Sequence, residues 1–231
     1  MGYLIFRGVS TASLTGVYVS KMPSHKKGAM RFTEYYVKGR DGALHVDEGY
    51  ENFDLEVMLV LVNASVERRY EVNAWADGTG KLVSSDDLTR AYQASVKEEI
   101  QWERVQANQG FYDTATITFN CQPYMVEAVD SQVTVTGTDS IINPGSMVSY
   151  PLIEVNGSGD ASFTINGVEI QIDDMTSGTP VYIDCANGYV YTASGATSMR
   201  GDVPYLDLGT NTVACGTGVT SLIITPRWRW I

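Results

Sequence analysis

The alternation of apolar and polar positions is clearest between residues 31 and 62, where it predicts two strands, a tight turn and a third, longer strand. Residues 32–37 (FTEYYV) are an aromatic and β-branched run, which prefers the pleated surface of a strand. Residues 39–42 (GRDG) contain two glycines and an Asp-Gly pair, which allow the positive φ values of a tight reversal. Residues 53–57 (FDLEV) then alternate apolar and acidic side chains, which is typical of a strand with one buried face.

Residues 58–62 (MLVLV) end this alternation, because every side chain there is apolar. A strand that loses its polar face is expected to enter a second layer or a subunit contact. The far end of the long strand is therefore predicted to be covered on both sides. Tyr35, Tyr36, Met58, Val60 and Val62 are candidate interface residues, although core packing would explain them as well.

One short helix is predicted after this strand. Asn63 or Ser65 is a suitable N-cap, and Glu67 lies in the first turn. The predicted apolar stripe consists of Val66, Tyr70, Ala74, Val72 and Trp75. Residues 77–80 (DGTG) end the helix, which we expect to be about three turns long and to pack across the sheet that contains residues 53–62.

The rest of the N-terminal half has weaker patterns. Short strands are predicted at residues 3–6, 17–19 and 114–119, with 120–124 closing the domain, whereas residues 91–105 suit either a strand or a helix. Residues 24–28 (SHKKG) predict a solvated loop, with contact to an acidic partner as the alternative.

The C-terminal half contains short strands separated by turn residues, after a boundary segment at 128–148. Strands are predicted at 151–155, 161–165, 168–172, 181–185, 189–192 and 222–225. The turns between them are predicted at 156–159, 166–167, 187–188 and 209–211, of which Asn166-Gly167 is a strong two-residue hairpin signal. This pattern without a convincing helix predicts an antiparallel β-sandwich.

The charged residues are distributed unevenly between the two halves of this acidic chain, whose net charge is −11. Residues 1–130 hold 13 Lys and Arg against 18 Asp and Glu, whereas residues 131–231 hold 3 against 9 and contain no lysine. The difference predicts two domains, 1–130 and 131–231. Such a chain lacks the basic footprint of a nucleic-acid binder.

Other sequence signals concern the compartment. No apolar run approaches the roughly 18 residues of a membrane span, and the N-terminus lacks the basic region of a secretory signal. The three cysteines, Cys121, Cys185 and Cys215, are odd in number and far apart. They are expected to be buried free thiols in a reducing cytoplasm.

Motifs for catalysis, metals and cofactors are missing from the sequence. There is no GxSxG, HExxH or P-loop pattern, and the two histidines are His25 and His45. A spatial pair of His45 with Cys121 is the catalytic alternative, and the simpler interpretation is a surface histidine and a buried cysteine. Asp173, Asp174, Asp202 and Asp207 have no calcium-motif spacing and are interpreted as solvated turn residues. We predict no enzyme activity, no metal and no cofactor.

The last residues, 226–230 (PRWRW), alternate cationic and aromatic side chains. In a strand, Trp228 and Trp230 would share one face and the arginines the other. Exposed tryptophan faces could stack on sugar rings. Burial against the sandwich or the other domain is the favoured interpretation.

Several strings, in order along the chain, resemble one protein family. Residues 34–49 (EYYVKGRDGALHVDEG), 75–82 (WADGTGKL) and 119–124 (FNCQPY) resemble the N-terminal domain of the distal tail protein of long-tailed siphophages and their prophages. Residues 150–159 (YPLIEVNGSG), 208–213 (LGTNTV) and 224–230 (ITPRWRW) resemble the same family's galectin-like domain. The resemblance favours strands over a helix in residues 91–105.

The resemblance implies a mainly β fold with one short helix: an N-terminal β-sandwich-like, ring-forming domain and a C-terminal galectin-like antiparallel β-sandwich. It implies a structural virion protein of the tail tip, assembled in the host bacterial cytoplasm. The implied assembly is a hexameric ring between the major tail tube protein and a tail-tip hub protein, with tape measure and receptor-binding proteins as further partners. DNA would pass through the ring without stable binding, which the acidic charge suits, and no membrane contact is implied. Arg40, in the predicted turn, is added to the interface candidates.

The alternative function is a carbohydrate-binding module that contributes to host adsorption through the galectin-like domain. Sugar sites of that type need clustered Arg, His, Asn and Trp. The C-terminal half has no histidine and only three arginines.

Overall fold

The computed structural model describes residues 2–107 and 110–231, and these form mainly β structure in two compact units. The first unit ends at Ala128 and the second spans Val129–Trp230. The prediction of a mainly β protein with one short helix is confirmed. Within the described residues, no helix is long and apolar enough to cross a membrane.

The strands of the first unit are interrupted by one 3-10 turn (Thr11–Ser13) and one α-helix, α1 (Val66–Trp75). The strands are β1 (Leu4–Phe6), β2 (Val9–Ser10), β3 (Val17–Lys21), β4 (Met30–Tyr36), β5 (Ala43–Tyr50), β6 (Phe53–Val62), β7 (Thr79–Ser84), β8 (Asp87–Val96), β9 (Trp102–Ala107) and β10 (Gly110–Glu127). Residues 91–105 are therefore mainly strand, as the resemblance implied. The expectation that residues 120–124 close the domain is wrong, because β10 continues to Glu127.

The large sheet of this unit runs in the order β2-β1-β7-β8-β10-β6-β3, with β9 paired to the first part of β10. Within this unit β10 pairs with three strands: with β6 through Tyr112 to Cys121, with β9 through its first residues and with β8 through its last residues. Among the described residues, β4 and β5 pair only with each other and form a separate two-stranded sheet. The predicted strand, turn, return and long strand are all present.

The core of the first unit collects the inward side chains of this sheet and one side of α1. Leu55, Val57, Leu59 and Leu61 of β6 alternate inward, as the sequence pattern predicts. Three aromatic rings meet in the same core, with centroids 5.1 Å apart for Phe6 and Phe119, 6.0 Å for Phe6 and Trp75, and 6.1 Å for Trp75 and Phe119.

The helix has the predicted position and length, but the predicted buried stripe is wrong in part. Ser65 is the N-cap, and its hydroxyl accepts from the backbone N of Arg68 at 3.4 Å. Val66 and Tyr70, which the prediction placed on the apolar stripe, are exposed, whereas Val72 and Trp75 are buried. The helix therefore packs on the sheet core through Val72 and Trp75 alone among the predicted residues.

The second unit is a β-sandwich of two antiparallel sheets. Its strands are β11 (Val133–Val135), β12 (Thr138–Asn143), β13 (Leu152–Gly157), β14 (Gly159–Ile165), β15 (Val168–Met175), β16 (Val181–Asp184), β17 (Tyr189–Thr192), β18 (Gly195–Ala196), β19 (Gly209–Cys215), β20 (Val219–Thr225) and β21 (Arg229–Trp230). One sheet has the order β11-β20-β13-β16-β17-β18 and the other β12-β19-β14-β15, and the short strand β21 belongs to neither. Side chains from both sheets form one core, so the predicted sandwich is confirmed.

Two local predictions in this unit have opposite outcomes. Asn166 and Gly167 make the predicted two-residue turn, with φ values of +51° and +82° and the register Ile165 opposite Val168. The predicted turn at residues 209–211 is wrong, because these residues begin β19. The side chain of Asn211 is fully buried there and is satisfied by hydrogen bonds, so a residue typical of turns occupies a core position.

Candidate assembly surfaces

The β4–β5 hairpin is held firmly at its base. The backbone N of Glu51 donates to the carbonyl of Ala29 at 2.8 Å, and the Tyr50 ring packs edge-on against Tyr124 at 5.8 Å. Gly28 is buried in this region, where an added Cβ would lie 2.5 Å from the carbonyl oxygen of Glu51. Only glycine fits this close approach, so Gly28 allows the chain to pass close to Glu51 at the base of the hairpin.

One face of the hairpin, which we call the carboxylate face, consists of Phe32, Glu34, Tyr36, His45 and Asp47. The rings of Phe32 and His45 are stacked with centroids 4.7 Å apart, and His45 Nε2 lies 3.5 Å from Glu34 Oε1. The hydroxyl of Tyr36 donates to Glu34 Oε2 at 2.7 Å, and this hydrogen bond raises the pKa of Tyr36. Phe32, Glu34, Tyr36 and His45 thus each contact another side chain of the hairpin, and Phe32 and Tyr36 remain exposed.

The opposite face, which we call the apolar face, consists of Thr33, Tyr35, Leu44 and Val46. Thr33 lies opposite Val46 and Tyr35 lies opposite Leu44, so the four side chains form a continuous block. Tyr35, Leu44 and Val46 are 56%, 39% and 51% exposed. The Thr33 hydroxyl donates to Glu48. The exposed apolar part of this face therefore consists of Tyr35, Leu44 and Val46.

The outer face of β6 is a second exposed apolar row. Met58 lies opposite Thr116 of β10, Val60 opposite Thr114 and Val62 opposite Tyr112. Met58 and Val62 are exposed and Val60 is partly buried. Of the two predicted ways to cover the outer face, a second layer within the chain is excluded, because only the inner face reaches the core. Cover by a subunit contact stays a prediction.

The six interface candidates therefore lie in four places. Tyr35 and Tyr36, although adjacent, point to opposite faces of the hairpin, and Arg40 lies in its exposed turn. The β6 residues belong to a different sheet. The two glycines that flank Arg40, Gly39 and Gly42, have the predicted positive φ values of +84° and +76°.

An acidic groove borders the outer face of β6, and the sequence analysis missed it. It is open, has a volume of about 850 Å³ and contains no Lys or Arg among its described lining residues. We call it the acidic groove; its lining is Met58, Glu98, Glu99, Gln101, Trp102, Glu103, Thr114, Ala115, Thr116 and Thr118. The signal in the sequence was the cluster of three glutamates within residues 98–103.

The structure gives little support to the alternatives of a catalytic site or a metal site. Cys121 is buried with its thiol towards the carbonyl of Phe119, and burial raises its pKa to about 12, the opposite of what a nucleophilic thiolate requires. Asp173 is paired with Arg200 at 2.6 Å. Among residues 2–107 and 110–231, no cluster of three or more His, Cys, Asp or Glu is arranged to hold a metal ion.

Side chains of the aromatic and cationic tail, residues 226–230, contact other residues of the second unit. Trp228 is buried in the sandwich core, whereas Trp230 is partly buried, and its Nε1 donates to the carbonyl of Pro144 at 3.2 Å. Arg227 Nη1 donates to Asp184 Oδ1 at 2.7 Å. The interpretation that the tryptophans are buried is confirmed for Trp228, so this ring face is not open to a sugar.

Comparison with known proteins gives structural matches only. No protein-family model matches the chain. No curated protein matches it either. The fold is similar to a crystal structure of the Dit protein of phage SPP1, described as a paradigm of the hub adsorption apparatus in phages that infect Gram-positive bacteria, with a TM-score of 0.69, 16% identity and 100% of both chains covered. It is also similar to a chain of the phage P2 baseplate in its activated conformation with Ca, with a TM-score of 0.53, 8% identity and coverage of 98% of this chain and 97% of that one.

Proposed function

We propose that this chain is a structural protein of a phage tail tip, a distal tail protein that forms a hexameric ring between the tail tube and the tail-tip hub proteins. The observation that carries the proposal is the fold similarity to the SPP1 Dit protein over the full length of both chains. The uncovered apolar face of the hairpin and the exposed row on β6 support it, because assembly proteins present such surfaces to their partners.

In this role the chain is assembled in the host bacterial cytoplasm and resides in the virion. Its proposed partners are further copies of itself, the major tail tube protein, a tail-tip hub protein, and the tape measure and receptor-binding proteins. Phage DNA passes through the ring without binding to it, since a chain with a net charge of −11 repels phosphates.

The two halves are proposed to divide this work. Residues 1–130 form the ring, because they hold the hairpin, the β6 row and 13 of the 16 basic residues. Residues 131–231 form an outward domain with a galectin-like sandwich. A fragment of residues 1–130 should then assemble or co-assemble with tube protein, and a fragment of 131–231 should stay monomeric and bind simple sugars no better than about millimolar. Rings formed by the second fragment alone would reverse the assignment.

The central experiment is mass photometry and negative-stain electron microscopy of the purified chain, alone and with tail tube protein. We expect particles of sixfold symmetry with the mass of six copies of the 25.3 kDa chain. A strictly monomeric mass at high concentration, and also with tube protein, would contradict the proposal.

The role is proposed to be structural and not enzymatic. Replacing both histidines, His25→Gln and His45→Gln, should leave tail assembly and infectivity near normal. Tails that assemble normally but do not infect would support a catalytic role instead.

A further inference from the structure

We propose that the apolar face of the β4–β5 hairpin binds a second copy of this chain, and that the hairpin turn enters the acidic groove of that copy. This inference rests on the proposed ring and adds which residues make its contacts. It assigns different roles to two adjacent residues, because Tyr35 lies on the apolar face and Tyr36 on the carboxylate face.

The two faces of the hairpin differ in how their side chains are paired, although both expose aromatic rings, Phe32 and Tyr36 on one face and Tyr35 on the other. On the carboxylate face, Glu34 accepts from Tyr36 at 2.7 Å and lies 3.5 Å from His45, so the polar groups are satisfied locally. On the apolar face, Tyr35, Leu44 and Val46 are exposed side by side. A two-stranded hairpin is marginally stable alone in water, and burial of one apolar face is the usual way in which such a ribbon is stabilised.

The charges of the hairpin turn and of the acidic groove indicate that the partner of the apolar face is a second copy of this chain. Two chains of net charge −11 repel each other unless opposite charges meet at the contact. The hairpin turn carries Lys38, Arg40 and Asp41, all exposed, and so has a net positive charge, whereas the acidic groove presents Glu98, Glu99 and Glu103 with no basic lining residue among those described. The chain therefore contains both members of a complementary pair.

The groove also has the apolar surface that the hairpin face requires. Met58 and Trp102 lie in its lining, together with the glutamates and the threonines of β10. With the turn among the glutamates, Tyr35 and Leu44 would lie against Met58 and Trp102. Hairpin and groove are different surfaces, so the contact is head-to-tail, the type that generates a closed ring when the rotation fits.

The first test compares two substitutions of adjacent tyrosines in the full chain. Tyr35→Ser removes the largest apolar side chain of the docking face from every contact in the ring, and we expect the concentration for half-assembly to rise by about tenfold or more. Tyr36→Ser is the matched control and should change it by less than about threefold. Equal effects of the two substitutions, or no effect of Tyr35→Ser, would overturn the inference.

The second test exchanges charges between the two surfaces. One variant carries Lys38→Glu with Arg40→Glu, and the other carries Glu98→Lys with Glu99→Lys. Each alone should fail to assemble, because its turn and its groove then have the same sign. An equimolar mixture should recover rings in which the variants alternate, since every contact then joins opposite charges, and this recovery shows that both variants are folded.

The outcomes separate this inference from the proposed function. Wild-type protein that never assembles, alone or with tube protein, would contradict the ring itself. If the wild-type protein forms rings but the mixture of the two charge variants does not, the proposed ring is kept and the pairing of turn and groove is excluded. Hairpin variants that form normal rings but no longer bind tube protein would identify tube protein as the occupant and overturn the inference.

Discussion

Arg69 of α1 donates from Nε to Oδ2 of Asp113 on β10 at 2.7 Å, and the Asp113 side chain has no exposure to solvent. Arg104 of β9 donates to the other carboxylate oxygen at 3.1 Å. One buried carboxylate thus links the two consecutive strands β9 and β10 to the helix, whose Arg69 is 44 residues from Asp113 in sequence. Burial without these arginines would be unfavourable, so the three residues form a unit.

We expect Asp113→Ala to destabilise the first unit by about 2–4 kcal/mol, because it removes the carboxylate and leaves two arginines without their acceptor. Chemical denaturation with urea is the measurement. Asp41→Ala, in the exposed hairpin turn, is the control and should change the free energy of unfolding by less than about 0.5 kcal/mol. A loss at Asp113 as small as the control would show that the ion pairs contribute little to stability.

The same carboxylate should make stability depend on pH in the acid range. Burial raises the pKa of Asp113, but the hydrogen bonds and charges of Arg104 and Arg69 outweigh burial and hold that pKa below its usual value. A carboxylate with a lowered pKa in the folded state contributes stability above the pKa of the unfolded chain, about 3.9. This contribution is lost as the pH falls through the folded pKa. The difference in unfolding free energy between wild type and Asp113→Asn should therefore be constant above about pH 5 and shrink below about pH 4. A difference that grows on acidification would contradict this assignment.

Arg69 also explains why the buried side of the helix was predicted incorrectly. The apolar pattern favoured Val66, Tyr70 and Ala74, but the side facing the protein contains Arg69, Val72 and Trp75. A charged residue on that side breaks the apolar stripe that pattern analysis relies on. Its partner, Asp113, lies 44 residues away in the sequence, so no local signal reveals the pair.

The strands and the hairpin were predictable because their signals are local. The inward alternation of β6 and the Asn166-Gly167 turn depend on neighbouring residues only. The acidic groove was not predictable, since Met58 and Glu98 come together only when β10 pairs with both β6 and β9. β19 was not predictable for the same reason. Asn211 is a residue type typical of turns, and the partners that let it occupy a buried strand position come together only in the folded chain.

The three cysteines should differ in reactivity in the folded protein. Burial raises the pKa of Cys121 and of Cys185 to about 12, and it raises the pKa of the partly exposed Cys215 as well. The prediction of buried free thiols therefore holds for two of the three. At pH 7.5, a maleimide should label Cys215 first, with Cys121 and Cys185 reacting only after unfolding, as peptide mass spectrometry would show. Early labelling of Cys121 would show that the first unit opens under native conditions.

The final prediction concerns Asn211, a fully buried amide in the second unit. Its Oδ1 accepts from Asn166 Nδ2 and from the backbone N of Asp207, both at 2.8 Å, and its Nδ2 donates to the carbonyl of Asp207 at 2.9 Å. The side chain thereby connects the loop before β19 to the turn between β14 and β15. Asn211→Ala removes these hydrogen bonds and leaves a cavity at a fully buried position, so we expect a loss of about 2–4 kcal/mol in the free energy of unfolding. Thr210→Ala, at the exposed neighbouring position, should change it by less than about 0.5 kcal/mol. Because this unit is proposed to lie outside the ring, Asn211→Ala should lower its melting temperature without changing the concentration for half-assembly; a change in assembly would show that the second unit contributes to the ring.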